Sequence, residues 1–223
     1  MQMHIHDVKI QMLELFTNPV WKEDAEMLRL AVNGKWSDRE ILHGHDAVGK
    51  SAYRFPLIRY IPRKNPVIVG LDGSLDVLVE MYQAIGKTIK TPNSIYTIEA
   101  SELRGQDFLF GESSELLELS TLSPWFGLNA SNYKSYIKTD DIKKRISMLE
   151  SVWIGNILSA AKGLGIVLDF RVMVKIIDLK EKSMIIKNTP MLAFNANIVS
   201  NVIIPQYLGI GKHAALGFGR WGR

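Results

Sequence analysis

Apolar and polar positions first alternate and then run together between His4 and Thr17, where Ile5, Val8, Ile10, Met12, Leu13 and Leu15 predict a strand closed by Asn18-Pro19. The period then changes to that of a helix. WKEDAEMLRLAVN sets Trp21, Ala25, Leu28 and Val32 on one face. Glu23, Asp24 and Glu26 fall in the first turns, where carboxylates oppose the helix dipole, and Gly34 marks the stop. A polar loop, GKWSDREILHGHDAVGKS, leads to two extended runs, Ala52–Tyr60 and Val67–Leu71, which flank Pro62–Pro66 and predict a hairpin. Leu75, Leu78, Val79, Tyr82 and Ile85 predict a second helix over Ser74–Ile89, and Ser94–Ala100 reads as a fourth strand.

This order, β-α-β-β-α-β, is that of a ferredoxin-like (RRM-like) unit. The polar stretch Arg104-Gly105-Gln106-Asp107 predicts a boundary, giving domains at 1–105 and 106–223. The second begins with a strand region to Leu122 and the aromatic turn SPWFGLNASNY. Asp140–Leu164 then carries Ile142, Ile146, Leu149, Val152, Trp153 and Ile157 on one helical face, with Gly163 and Gly165 at its end. Ile166–Leu179, Ser183–Lys187 and Met191–Ile204 are rich in β-branched residues and predict a series of strands. The fold class expected is therefore α+β, with two tandem ferredoxin-like domains and a C-terminal glycine-rich loop.

Composition narrows the chemistry. The chain has 223 residues, 47% of them apolar and 22% charged, as in a globular protein long enough for two cores. With no cysteine there is no disulfide, thiolate zinc site, iron–sulfur cluster or cysteine nucleophile, so any metal would need His and carboxylates. No apolar run reaches the roughly 18 residues of a bilayer span, and the start lacks a signal-peptide pattern, which predicts a cytoplasmic protein without membrane contact. The net charge of +4 is unevenly spread: 1–105 balances its charges, whereas Lys182, Lys187, Lys212, Arg220 and Arg223 follow Glu181 with no acid among them. A basic end of this kind suits a polyanion.

Three chemistries compete for the polar loop. His43 and His45 titrate near neutrality, so one imidazole can take a proton while the other gives one, which is what cleavage of RNA by its own 2′-hydroxyl needs. Solvated loop histidines are the plain alternative. Gly44–Ser51 also satisfies G-x-x-x-x-G-K-[ST], but Pro56 lies in the extended run just beyond it, where a phosphate-binding loop must open a helix. HGHD could instead be half of a metal site, with His4 and His6 on one face of the first strand as further ligands. At the other end, GIGKHAALGFGR offers glycines that let a backbone approach phosphate, successive amides for an anion, and Lys212, His213 and Arg220 as charges; a glycine-rich turn is the alternative. Trp125, Phe126, Tyr133, Tyr136 and Trp221 suit either base stacking or a core.

These stretches resemble a known family. Gly209-Ile210-Gly211-Lys212-His213 through Gly217-Phe218-Gly219 is similar to the glycine-rich loop of the repeat-associated mysterious protein (RAMP) superfamily. The chain looks like its CRISPR-associated endoribonucleases. SPWFGLNASNYKSY (Ser123–Tyr136) and GNILSAAKGLGI (Gly155–Ile166) resemble the branch found with type I-B systems, as does an His-x-His pair followed by Gly49-Lys50-Ser51 and Tyr53–Pro56. The resemblance implies cleavage of precursor CRISPR RNA within its repeats without metal or other cofactor, leaving 5′-hydroxyl and 2′,3′-cyclic phosphate ends. It implies catalytic roles for His43 and His45, aided by Lys50 and Tyr53. RNA contacts would come from Gly209, Gly211, Lys212, His213, Gly217, Gly219 and Arg220. Repeat RNA and a CRISPR effector complex are the partners implied; a second copy of the chain is a further candidate, since helical faces such as Trp153 and Ile157 suit either a core or a dimer. A relative that only carries guide RNA is the rival expectation.

Overall fold

The structure is a computed structural model and describes residues 4–34 and 55–223. These are mixed α and β with antiparallel strand pairing, and divide into two compact units. One comprises Val8–Phe108 with Ala215–Gly217; the other comprises Leu109–Ala214 with the segment up to Asp7 and Phe218–Arg223.

In the first unit, β1 (Ile5–Asn18) pairs with β3 (Val67–Leu71) from Ile10 opposite Leu71 to Glu14 opposite Val67. The other edge of β3 pairs with β2 (Ile58–Ile61), which makes the expected hairpin. Every residue of β2 and β3 is buried, and that is why β3 reads as an unbroken apolar run rather than an alternating one, while β2 buries Arg59 among its apolar residues. Helix α1 (Ala25–Asn33) is shorter than its periodic stretch because Asp24 caps it, its carboxylate accepting from the Met27 amide at 2.8 Å. Leu28 and Val32 face the core. Helix α2 (Leu75–Ala84) packs closely on β3, where a Cβ at Gly70 would lie 2.8 Å from Leu78 Cδ1. The helix expected to reach Ile89 ends at Ala84: Gly86 takes a φ of +78°, which a helix cannot propagate, and Ile89 is buried instead on a short strand, β4 (Thr88–Lys90).

Strand β5 (Ile95–Thr121) runs straight through Arg104–Asp107, so that polar stretch is no interruption of the strand. Its cation is answered on the surface, with Arg104 bonded to Glu102 and, at 3.3 Å, to Glu14.

In the second unit, the end of β5 pairs with β7 (Thr189–Ile203) across a bulge between Glu112 and Leu117, and β7 pairs with β6 (Val174–Ile186). Two of the expected strands are one: β6 is continuous across Leu179–Ser183. It starts only at Val174 because side chains take the ladder's place before it. Asn201 Oδ1 accepts from the Met173 amide at 2.7 Å, and its Nδ2 donates to the Arg171 carbonyl at 3.0 Å. Helix α3 (Ala130–Lys138) occupies part of the expected aromatic turn, capped by Asn129, and α4 (Ile142–Gly163) is the long helix expected, capped by Asp141. Beneath α4 lies an aromatic core in which Trp221 meets Trp125 at 5.9 Å and Trp153 at 6.0 Å between ring centroids, both edge-on. No helix among the described residues is long and apolar enough to cross a membrane.

Candidate functional site

His43, His45, Lys50 and Tyr53 lie outside the described residues, as do the rest of the HGHD and Gly-Lys-Ser motifs. What the fold shows is how the chain is held on either side of them. At the end of α1, buried Asn33 accepts a hydrogen bond from the Tyr60 hydroxyl of β2. Burial holds that phenol above its usual range. Just beyond the segment, the Arg59 guanidinium, only 1% exposed, donates to the Pro56 carbonyl and lies 4.7 Å from the centroid of the Phe55 ring. Burial pulls Arg59 down to about 9, still far enough above neutrality for it to remain a cation. Arg59 was passed over in the sequence because a cation between apolar neighbours in a strand ordinarily points to water.

Of the possible extra ligands, His4, just before β1, bonds Asp169 through Nδ1 at 2.8 Å, and His6, within β1, is half-buried. Among the described residues no group of three or more His or carboxylates is placed to hold a metal ion.

The C-terminal glycine-rich segment is placed in detail. Its two arms are hydrogen-bonded to each other and to Leu122–Phe126. The Ile210 amide donates to the Gly219 carbonyl at 2.9 Å, Gly219 donates to Pro124 at 2.9 Å, and Lys212 donates to Phe126 at 2.9 Å. The Arg220 amide donates to Ser123 Oγ at 3.0 Å, and its carbonyl accepts from Leu122 at 2.8 Å. A third stretch joins them: Trp125 Nε1 donates to Asn156 Oδ1 at 3.0 Å. A Cβ at Gly211, where φ is +87°, would lie within 3 Å of Phe126 O, Asn156 Oδ1 and Trp125 Nε1. Three stretches far apart in the sequence, Ser123–Tyr136, Gly155–Ile166 and the glycine-rich end, therefore meet in one place.

The contacts alter the chemistry expected of this segment. Four of its amides, on Ile210, Lys212, Gly219 and Arg220, donate inside the protein, so they do not form a row of free donors for an anion. Gly209 and Gly219 are buried, and a Cβ at Gly217 would lie 3.0 Å from the Tyr60 carbonyl oxygen. The side chains of Lys212, His213 and Arg220 are half-buried. His213 holds φ at +59°, with Nε2 3.1 Å from Met191 Sδ and its ring edge-on to Phe126 at 5.3 Å. Of the five aromatic residues weighed for base stacking, Trp125, Phe126, Tyr136 and Trp221 are core and Tyr133 is exposed.

Comparison with known proteins follows the same division. The Cas6b N-terminal domain family matches residues 4–108, and the Cas6b C-terminal domain family matches residues 111–222. An uncharacterized protein of Methanocaldococcus jannaschii is 31% identical over 110 residues, 49% of this chain and 74% of that one. A solved structure described as Cas6b superposes with a TM-score of 0.85 at 30% identity, covering 98% of this chain and 100% of its own. Another, described as the CRISPR RNA processing endoribonuclease Cas6b, gives 0.71 at 27% identity over 97% and 98%. A Cas6-related protein of Pyrococcus furiosus, at 12% identity and a TM-score of 0.55 over 97% of both chains, shares the fold.

Proposed function

This chain belongs to the Cas6b family, and we propose that it is a CRISPR RNA processing endoribonuclease that cuts precursor RNA within its repeats. The observation that carries the reading is the match of both Cas6b domains in succession, with His43-Gly44-His45 inside the first. A Cas6b relative of similar fold is itself described as an endoribonuclease. The two halves, 1–105 and 106–223, are tandem ferredoxin-like domains in this reading, the second carrying the glycine-rich RNA-binding loop through Lys212, His213 and Arg220.

The reaction needs no cofactor. One imidazole of the pair takes the proton of a 2′-hydroxyl; the freed oxygen forms a bond to the adjacent phosphorus as the bond from phosphorus to the 5′-oxygen breaks; the other imidazole, protonated, gives its proton to that leaving oxygen. Lys50 lies close in sequence and supplies positive charge to the phosphate as negative charge builds on it, and Tyr53 assists. The products are a 2′,3′-cyclic phosphate and a 5′-hydroxyl, and the trimmed RNA passes to a CRISPR effector complex. End-group analysis tests this. End-labelled RNA of the repeat adjoining the gene is expected to be cut at one position, with a cyclic phosphate upstream and a 5′ end that kinase labels without prior dephosphorylation. Tight binding with no cut would contradict it and favour a passive carrier of guide RNA.

A further inference from the structure

Pairing of β6 with β7 decides which of their side chains share a face. On β7, Phe194, Ala196 and Ile198 are buried, so Asn195 and Asn197 point the opposite way and are exposed. Across the ladder Lys180 stands opposite Asn195 and Asp178 opposite Asn197, and directly opposed residues project to the same side. Lys182, two residues on, joins them. Together with Thr121 and Ser123 at the end of β5, these side chains line a groove of about 480 Å³, within the range of ligand clefts.

The polar groups of this groove are of two kinds. The two hydroxyls are engaged, since Thr121 Oγ1 accepts from the Ala196 amide at 3.1 Å and Ser123 Oγ from the Arg220 amide. The carboxamides of Asn195 and Asn197 and the ammonium groups of Lys180 and Lys182 have no hydrogen-bond or ion-pair partner among the described residues. Asn is a poor strand residue, and here two occur in alternate positions of one strand with no packing to offset them. Each offers one acceptor and two donors at the end of a short, stiff side chain, the combination that meets the edge of a base. They sit about 6.6 Å apart along the strand, so adjacent unstacked nucleotides can each meet one. Lys180 and Lys182 suit the phosphates, and Asp178 can accept from an exocyclic amine. Among the described residues no aromatic side chain lines this groove, so recognition there is by edge and not by stacking. Through Ser123 and Arg220 the groove adjoins the glycine-rich segment.

We infer that this face of the β6–β7 hairpin is a base-reading subsite for single-stranded RNA, in which Asn195 and Asn197 discriminate between bases and Lys180 and Lys182 hold the backbone. The inference rests on the activity proposed above. It is tested with the full chain by fluorescence anisotropy, using labelled single-stranded homopolymers of A, C and U beside the repeat RNA, across a salt titration. The wild type shows unequal affinities for the three homopolymers. The Asn195→Ala, Asn197→Ala variant narrows that spread by about fivefold or more with its salt slope unchanged. The Lys180→Ala, Lys182→Ala variant weakens all three alike and lowers the slope by about 1.4. An asparagine variant that melts like the wild type and keeps the wild-type base preference overturns the inference, as does one that merely weakens every RNA equally. The Asn195→Ser, Asn197→Ser variant decides the matter by the same criteria if the alanine variant does not fold. A wild type that cuts its repeat while the asparagine variants keep their preference sinks the subsite alone; a wild type that neither binds nor cuts repeat RNA sinks the proposed function with it.

Discussion

A methyl group added at Gly219 would place a carbon 1.9 Å from the Ile210 carbonyl oxygen, at a φ of +67° where L side chains are strained. Neither neighbour can give way easily, because Ile210 and Gly219 are already joined by a backbone hydrogen bond and Gly219 is tied to Pro124. Gly219→Ala is therefore expected to cost about 1–3 kcal/mol from backbone strain alone, read as a lower midpoint in urea unfolding; an unchanged midpoint would show that the segment adjusts freely. The glycines were visible in the sequence as a loop signal, but their use was not. Whether a glycine admits a ligand or another backbone depends on what stands opposite, and Asn156 and Phe126 are far from Gly211 in the chain. Arg59 was hidden for the same reason: its partners are carbonyls and a ring that only the fold brings around it.

Elements were legible where one face of the sequence is apolar and a cap is written beside it. Asp24 and Asp141 fix the starts of α1 and α4, and Leu149, Trp153 and Ile157 fix the buried face of α4. Helix α3 was not legible. Its sequence, ASNYKSYIK, carries Ser131, Asn132 and Ser135, which favour turns, and buries only Tyr136. Tertiary contacts decide the matter: the Tyr136 hydroxyl donates to Glu181 Oε1 at 2.6 Å and Arg145 lies over its ring. Burial, then that bond, hold the phenol above its ordinary range. The β6–β7 hairpin reads in the sequence as two long strands and a short one because the charged run Lys180-Glu181-Lys182 interrupts the apolar pattern of β6; its turn, Lys187-Asn188, lacks glycine, yet both residues take positive φ, 49° and 60°. Asn tolerates that conformation and a β-branched residue does not, so Asn188→Val is expected to destabilise by about 1–2 kcal/mol, measured by thermal unfolding. A variant as stable as the wild type would mean the turn changes type.

At the scale of the whole molecule, four separated stretches carried the resemblance to a family, and three of them are in contact: Ser123–Tyr136, Gly155–Ile166 and the glycine-rich end. Their shared sequence is thus explained first by packing, with Trp125, Asn156 and Gly211 fitted against one another, and only their exposed side chains remain for RNA. The fourth, His43–Ser51, lies outside the described residues, and the chemistry of the proposed function is concentrated there. The measurement that tests the central claim most directly is cleavage of labelled repeat RNA in excess EDTA by the wild type and by a His43→Ala, His45→Ala variant, beside a substrate with 2′-deoxy at the cut position. Acid–base attack by the 2′-hydroxyl predicts that the wild type alone cuts, that it cuts only the all-ribose RNA, and that the double variant slows by at least about a hundredfold. Cleavage that stops in EDTA and returns with a divalent ion, or that persists in the variant or on the 2′-deoxy substrate, would contradict it.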